Sequence, residues 1–432
     1  MFLLRNESIV QYIRCAMEAR WMAQQREARG PANVVGAAVR GNDFWGRSDD
    51  VAQVWRQLER GSVLLTAPRR HGKSSLMHAL ADAPRDGWTV EYFDVEYVQT
   101  PRELLVELTA AVLAHDRLRT VLDKVKQAPG QLARWLGGVV SDVGLARDKI
   151  GELKIALRDG LGDGPSWAEL TEQLLTLLDH ADGHVLLVID EFPMMVGNFL
   201  DREQADAIHF LKWFRAVRQR RGGDRLRFLL GGSVNIEPRL ELLGQQALLA
   251  DLERFPLRPL ERSDAEAFVA AVLEAEGARH EIGVAAEIVR IADCGVPFFL
   301  QVLISEVMAE ARRQRRGLLV PDIEPIYQDR VLGPGNRARF SHYHSRLKEH
   351  YGPLEEPARL VLDALVLDQP LTTRVLADAV ARGGESAAVL DETLALLESD
   401  YYVDRDGDRV RFANGFLRSW WMRHAARSRG RL

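Results

Sequence analysis

The stretch that decides the fold is the apolar segment SVLLT (residues 62–66), which runs directly into APRRHGKSS (residues 67–75). The apolar run has the length and composition of a buried strand. After the loop, Leu76, Met77 and Leu80 recur at helical spacing. A strand, a glycine-containing loop and a helix in this order place the loop at the carboxyl end of the strand.

This loop fits the phosphate-binding pattern G-x-x-x-x-G-K-[ST], except that Ala67 stands at the first glycine. Backbone N–H groups of such a loop, and of the helix that follows, point at the β- and γ-phosphates. Lysine is scarce, with 7 Lys against 50 Arg, so a lysine inside the motif is informative. The nucleotide-binding residues predicted here are Ala67, Pro68, Arg69, Arg70, His71, Gly72, Lys73, Ser74 and Ser75.

Each position of the motif has a chemical reason. Gly72 permits a close approach of the backbone, Lys73 supplies a compact positive charge, and the Ser74 hydroxyl binds Mg²⁺.

A second apolar stretch, VLLVI (residues 185–189), ends in Asp190 and Glu191. A buried parallel strand delivers these carboxylates to the edge of the sheet where ligands bind. We expect Asp190 to hold Mg²⁺ through water and Glu191 to polarise the water that attacks the γ-phosphate.

Strand patterns alternate with helical patterns through the first 262 residues, which predicts a doubly wound parallel sheet. Within this region Ser166 and Glu169 match a capping box at the start of a helix. In residues 115–165, ELKIALR (152–158) alternates apolar and polar residues, and DVGLARDKIG (142–151) precedes it. These two segments are interpreted as an inserted hairpin. The other predicted elements are strands at Val90–Val95, RFLLGGS (227–233) and RFPLRPL (254–260), and helices after Thr100-Pro101 and at 202–221.

From Ser263 onward the pattern is helical only, at 265–277, 284–293, 298–315 and 321–331. Later, three short helices (355–367, 372–382, 386–399), the hairpin YYVDRDGDRVRF (401–412) and a final helix form a winged helix-turn-helix pattern. The predicted organisation is an N-terminal amphipathic helix and linker (1–40), an ATPase core with an insertion (41–262), a helical lid (263–335), and a connector with the winged helix domain (336–432).

Composition excludes several classes of protein. Hydrophobic residues make up 47% and charged residues 28% of the 432, and the net charge of −5 gives no global attraction to nucleic acid or anionic membranes. Two cysteines, Cys15 and Cys294, exclude a disulfide scaffold and suit a reducing compartment. No apolar run long enough to span a bilayer and no signal peptide is recognised, so we expect a cytoplasmic protein without membrane contact.

Taken in order, the motifs resemble those of the STAND branch of the AAA+ ATPases, specifically the bacterial and archaeal archaeal-ATPase-like proteins related to the origin-recognition ATPases. The resemblance covers about residues 40–430. It rests on FWGR (44–47), APRRHGKSS (67–75), VLLVIDEFP (185–193), RFLLGGS (227–233), RFPLRPL (254–260), CGVPFFLQ (294–301) and the winged helix pattern.

The resemblance implies roles for further residues. Arg47 would lie at the adenine edge of ATP or ADP, and Ser233, or alternatively Asn235, would be the polar residue that senses the γ-phosphate. The GVP element, residues 295–297 ending in Pro297, would let the lid contact the nucleotide. Arg254 occupies the place of a possible arginine finger that reaches the nucleotide of a neighbouring subunit.

Three functions are compatible with these patterns. The preferred one is an ATP-driven switch with slow, Mg²⁺-dependent hydrolysis, which couples the nucleotide to formation of a homo-oligomer or to control of a separate effector protein. The second is a DNA-associated ATPase regulator resembling those of replication or transposition. The third is a nucleotide-binding scaffold with negligible turnover.

DNA contact by the C-terminal segment is possible but not favoured. Residues 409–432 contain seven arginines and no acid, and Arg409, Arg411 and Arg418 would contact phosphates. However, aromatic residues of this segment, such as Trp420 and Trp421, fit a role in packing the last helix onto its own domain. The pair His342 and His344 lacks the carboxylate or thiolate company of a metal site.

Overall fold

The computed structural model describes residues 30–118, 130–140, 150–161, 166–220, 225–232 and 236–429. The chain divides into two compact units. The described part of one unit is Arg47–Arg258 with Ser399–Tyr401, and that of the other is residues 30–46, 259–398 and 402–429. The predicted N-terminal amphipathic helix (2–28) lies outside the described residues.

A five-stranded sheet forms the centre of the first unit, and every pairing in it is parallel. The spatial order is β2-β3-β4-β1-β5. This arrangement confirms the predicted doubly wound parallel sheet of a P-loop fold. The strands are β1 (Val63–Thr66), β2 (Trp88–Asp94), β3 (His184–Asp190), β4 (Leu226–Gly232) and β5 (Glu253–Pro256).

Helices connect these strands, as crossover connections between parallel strands require. The helices that lead to and cover the sheet are α1 (Ser48–Leu58), α2 (Lys73–Asp82), α3 (Pro101–Ala114), α4 (Gln131–Val140), α5 (Ile150–Leu161), α6 (Trp167–Asp179), α7 (Phe192–Arg202), α8 (Gln204–Arg220) and α9 (Glu237–Leu242). The strand β3 is almost wholly buried because helices pack on both of its faces.

The predicted hairpin in the insertion is wrong where the structure describes it, because residues 150–161 form the helix α5. Leu153, Leu157 and Leu161 are spaced four residues apart and are all buried, whereas Ile155 is 61% exposed. Burial therefore follows the helical period, and the alternation in ELKIALR is incidental. Residues 142–149, the proposed partner strand, lie outside the described residues.

Of two predicted helix starts, one differs from the structure and one agrees with it. Ser166 precedes α6, but its side chain makes no capping hydrogen bond, so the capping box is absent. Thr100 does cap α3, with its hydroxyl oxygen accepting from the backbone N–H of Glu103 at 3.2 Å. The predicted helix at 202–221 corresponds to α8, and the sequence reading missed α7, which starts directly after Glu191.

The second unit is mostly helical, with a small antiparallel sheet in the order β6-β8-β7. Its helices are α10 (Arg262–Ala275), α11 (Val284–Ala292), α12 (Pro297–Gln314), α13 (Ile323–Ile326), α14 (Arg337–His350), α15 (Glu355–Leu367), α16 (Thr373–Arg382), α17 (Leu390–Ser399) and α18 (Gly415–Arg429). Its strands are β6 (Leu371–Thr372), β7 (Val403–Asp406) and β8 (Arg409–Phe412).

The residues of the predicted lid and of the predicted winged helix domain share one hydrophobic core. Phe299 of α12 stacks on Phe416 of α18 with ring centroids 4.3 Å apart, and Phe340 of α14 lies 4.9 Å from Phe416. The separation of this unit into a lid and a winged helix domain stays a prediction. In the described part of the chain, no helix combines the length and the apolar character that a membrane crossing requires.

Candidate nucleotide-binding site

The loop after β1 enters α2 through backbone conformations that few residues adopt. Gly72, the residue before α2, has φ +89°, and Arg70 has φ +76°. A Cβ added at Gly72 would meet no atom within 4 Å, so its left-handed backbone, and not crowding, is what favours glycine. The turn directs the N-terminus of α2 toward the carboxyl edge of the sheet, as the motif predicts.

Lys73 is buried beneath this turn and joined to both predicted carboxylates. Its Nζ lies 2.8 Å from Oδ1 of Asp190 and 3.3 Å from Oε1 of Glu191. Burial alone lowers the pKa of Lys73, but the two carboxylates outweigh it and raise the pKa above its ordinary value. The lysine is therefore charged, and the sheet edge carries a buried group that can move from carboxylates to phosphates.

Asp190 and Ser74 supply the oxygen ligands that Mg²⁺ prefers. The Ser74 hydroxyl hydrogen-bonds to the Asp190 carboxylate. Burial raises the pKa of Asp190, but Lys73 and these hydrogen bonds lower it below its usual value, so the carboxylate is ionised. No three acidic, His or Cys side chains of the described residues form a metal cluster by themselves. Ser74 and Asp190 thus fit a cation that is also held by phosphate oxygens.

Glu191 occupies a strained position between β3 and α7. It has φ +57°, which is uncommon for a residue with a side chain, and such outliers concentrate at functional sites. Its backbone N–H donates to Oδ1 of Asp190 at 2.9 Å. This bond links the backbone of one predicted catalytic residue to the side chain of the other. The carboxylate of Glu191 is held at the carboxyl edge of β3 by its ion pair with Lys73.

Tyr92 is a site residue that the sequence reading missed. Its hydroxyl donates to Oδ2 of Asp190 at 3.2 Å, and its ring lies 4.2 Å from that of His78 on α2. Burial, reinforced by neighbouring carboxylates, raises the pKa of Tyr92, so the hydroxyl stays protonated. Asp94 lies opposite Asp190 in the register of β2 and β3, and burial raises its pKa too. Parallel pairing of β2 with β3 brings these groups together.

Two glycines at the end of β4 make room for α2 and for α7. A Cβ at Gly231 would lie 2.0 Å from Cε of Met77, and a Cβ at Gly232 would lie 2.2 Å from Cδ of Pro193. Met77 has a flexible side chain that can shift, whereas Pro193 is a rigid ring. The consecutive glycines of RFLLGGS were the available signal for this close approach.

Arg47 is hydrogen-bonded to the backbone of the phosphate loop. Its guanidinium donates to Oδ2 of Asp50 at 2.9 Å, to the carbonyl of Arg258 at 2.7 Å and to the carbonyl of His71 at 3.4 Å. Burial lowers the pKa of His71 to about 4, and the charge of Arg47 acts in the same direction. A contact of Arg47 with adenine stays a prediction.

Four predicted site residues remain predictions. Ser233 and Asn235 lie outside the described residues. Arg254 lies in β5, where its guanidinium is ion-paired with Glu237. Pro297 begins α12 in the other unit, and its contact with nucleotide stays a prediction.

Comparison with known proteins identifies the fold. Neither a protein-family model nor a curated protein matches the chain. Among solved structures, a Walker-type ATPase of Pyrococcus abyssi is similar over 90% of this chain and 97% of its own, with TM-score 0.57 and 16% identity. The ORC2 protein of Aeropyrum pernix, in ADPNP–ADP complexes, is similar over 89% and 94%, with TM-score 0.53 and 12% identity. The fold is therefore that of an AAA+ P-loop NTPase with a helical C-terminal region.

Proposed function

We propose that this protein binds ATP with Mg²⁺ at the loop 67–75, hydrolyses it slowly and acts as a nucleotide-dependent switch. The observation that carries the proposal is the convergence of Lys73, Ser74, Asp190 and Glu191 at one sheet edge. A buried lysine beside two carboxylates, under a helix N-terminus, is suited to exchange one set of anions for another. The triphosphate is the anion that the loop motif predicts.

The chain's own residues divide the chemistry among them. With nucleotide bound, Lys73 would pair with the phosphates, the Ser74 hydroxyl would be a ligand of the cation, and Asp190 would hold the cation through water. Mg²⁺, when bound, would neutralise charge that develops on the transferred phosphate. Glu191, released from Lys73, orients the attacking water and accepts its proton.

Slow turnover is supported by the position of Arg254. Its guanidinium is ion-paired with Glu237 of the same chain. An arginine finger would instead place this guanidinium in the nucleotide site of a neighbouring subunit. Arginine fingers contribute about 10³–10⁵-fold to rates of phosphoryl transfer. We propose slow turnover for a subunit whose Arg254 stays on Glu237, because no arginine finger then reaches a neighbour's nucleotide.

Two substitutions test binding and hydrolysis separately. Lys73→Ala should abolish the heat of ATP binding in calorimetry. The substitution removes the buried positive charge with which the phosphates would pair in place of the two carboxylates. Glu191→Gln should keep ATP binding but reduce phosphate release about 10²-fold or more. If wild type and Glu191→Gln release phosphate at the same negligible rate, the chain is a nucleotide-binding scaffold. Absence of heat with wild type and Mg·ATP would refute the proposal.

A second candidate function is DNA-associated ATPase activity, for which the arginine-rich segment 409–432 is the observation. In the C-terminal hairpin, Arg409 is exposed. Arg411 lies 3.5 Å from Asp404, and Arg418 donates to the carbonyl of Val366 at 3.2 Å, so both have partners in their own unit. Binding to duplex DNA that weakens with salt, and is lost in an Arg409/Arg411/Arg418 triple alanine variant, would support this function. No binding at low salt eliminates it.

A further inference from the structure

A cavity of about 260 Å³ lies in the helical unit, beside the C-terminal end of α12. This volume far exceeds the ~15 Å³ that one water molecule needs. Its walls come from residues 276–279, Met308, residues 311–312 and residues 315–317. The charged residues in these walls are Arg279, Arg312, Arg315, Arg316 and a single acid, Glu276.

Arginines elsewhere in these helices are neutralised by carboxylates. Arg290 pairs with Glu287, and both Arg313 and Arg330 pair with Glu310. Several guanidinium groups of this unit are thus matched by an acid.

The cavity departs from this pattern. Arg316 pairs with Asp322, and Arg312 lies 3.8 Å from Glu276. Across the described part of the chain, no hydrogen bond or ion pair engages the side chain of Arg279 or Arg315. The walls of this concave site therefore carry four arginines against one acid, and two of the four are without a carboxylate partner among the described residues.

Backbone geometry at Arg315 is a second, independent observation. This residue follows the last turn of α12 with φ +54°, a position that glycine normally takes at helix ends. Glycine is available two residues later, at 317, but the left-handed position itself carries an arginine. Two of the other left-handed non-glycine residues, Arg70 and Glu191, flank the candidate nucleotide site. Strain of this kind concentrates where a side chain serves a ligand.

We propose that this cavity binds a phosphate-bearing anion through Arg279 and Arg315, with Arg312 and Arg316 on its rim. Guanidinium groups match phosphate oxygens with two parallel hydrogen bonds, and their charge is independent of pH in the working range. The anion is either a small polyphosphate or a phosphodiester of duplex DNA, which present the same chemistry to the cavity. The proposal does not depend on nucleotide binding at the loop 67–75.

The first experiment uses the full chain with Lys73→Ala, so that the phosphate loop does not compete. Arg279→Ala/Arg315→Ala is added on this background, and tripolyphosphate binding is measured by calorimetry. The matched control is Arg262→Ala/Arg290→Ala, which removes two arginines that are paired with Glu266 and Glu287. We expect at least tenfold weaker binding in the cavity variant than in the control.

The second arm titrates the same variants with a fluorescent DNA duplex over a range of salt concentrations. Loss of two phosphate contacts should reduce the slope of log affinity against log salt by about 1.8. If the cavity variant binds more weakly than the control only with tripolyphosphate, the ligand is a small anion. If it binds more weakly only with the duplex, the ligand is nucleic acid. If the cavity variant and the control behave alike in both arms, the proposal is wrong.

Substitution of Arg315 alone separates ligand binding from folding. Arg315→Gly relaxes the left-handed backbone, so its thermal midpoint should equal or exceed that of the parent while anion binding falls. Arg315→Lys should retain more binding than Arg315→Gly, since it keeps the charge. Equal anion binding by the glycine and lysine variants would contradict the role given to this side chain.

Discussion

At the scale of single residues, Asp190 is the group on which the candidate site depends. Lys73, Ser74 and Tyr92 all hydrogen-bond to its carboxylate, and the backbone of Glu191 does as well. A carboxylate with several donors is held in one orientation, as ligands to a metal or its waters require. Changes to these donors are expected to alter metal affinity before they alter the fold.

Tyr92→Phe should weaken the response to Mg²⁺. The substitution removes one hydroxyl that orients Asp190 and keeps the ring that packs on His78. Loss of such an orienting partner typically costs about 10-fold or more in metal affinity. We therefore expect the Mg²⁺ concentration for half-maximal ATPase activity to rise about tenfold.

Tyr97→Phe is the control for this experiment, because Tyr97 bonds to Lys154 and not to Asp190. Affinity for ATP measured without metal should be similar in both variants and in wild type. An unchanged Mg²⁺ dependence in Tyr92→Phe would show that its hydroxyl has no positioning role.

The lowered pKa of His71 predicts how the free energy of unfolding of the nucleotide unit depends on pH. Burial lowers its pKa in the folded chain to about 4, against an ordinary value of 6.5. Between these pH values the unfolded chain binds a proton that the folded chain does not, so stability falls as the pH falls from 6.5 toward 4. From pH 7 to pH 5, His71 should cost about 2 kcal/mol of unfolding free energy.

Urea denaturation at pH 7 and pH 5 measures this loss. In His71→Gln the difference between the two pH values should shrink by about the same 2 kcal/mol. His180→Gln, at an exposed histidine of the same unit, should leave the difference as in wild type. Equal pH sensitivity of both variants would contradict the assignment.

At the scale of elements, α5 is where local pattern and tertiary packing disagree. In a strand, residues 153, 155 and 157 would share one face, whereas in the helix Leu157 is fully buried and Ile155 is exposed. Leu157→Ala should therefore cost about 2–5 kcal/mol of unfolding free energy. Ile155→Ala should cost less than about 0.5 kcal/mol. Similar costs for the two substitutions, measured by denaturant unfolding, would favour a strand.

At the scale of the whole molecule, the proposed switch predicts a change of assembly with nucleotide. Light scattering should show at least a doubling of molecular mass when a non-hydrolysable ATP analogue and Mg²⁺ are added, because the ATP state is the one that favours association. Lys73→Ala should keep its starting mass under the same conditions. If the molecular mass of wild type does not change with the analogue, the switch does not act through homo-oligomerisation. Control of a separate effector protein would then be the remaining form of the proposal.

The sequence by itself determined the local parts of the site. Strand, loop and helix are contiguous in residues 62–82, and the left-handed turn at Gly72 follows from the chemistry of the motif itself. The two acids at the end of β3 were equally visible, because an apolar strand that ends in carboxylates needs no partner to be recognised. The parallel sheet was also predictable, since alternating strands and helices favour few other arrangements.

Only the tertiary structure decided which distant groups meet this motif. The contact of Tyr92 with Asp190 spans 98 residues, and it exists because β2 pairs with β3 in a register that sets Asp94 opposite Asp190. The need for glycine at 232 depends on the ring of Pro193 packing across from β4. Such contacts depend on strand order and on the distance between backbones, and neither of these is encoded in the spacing of neighbouring residues.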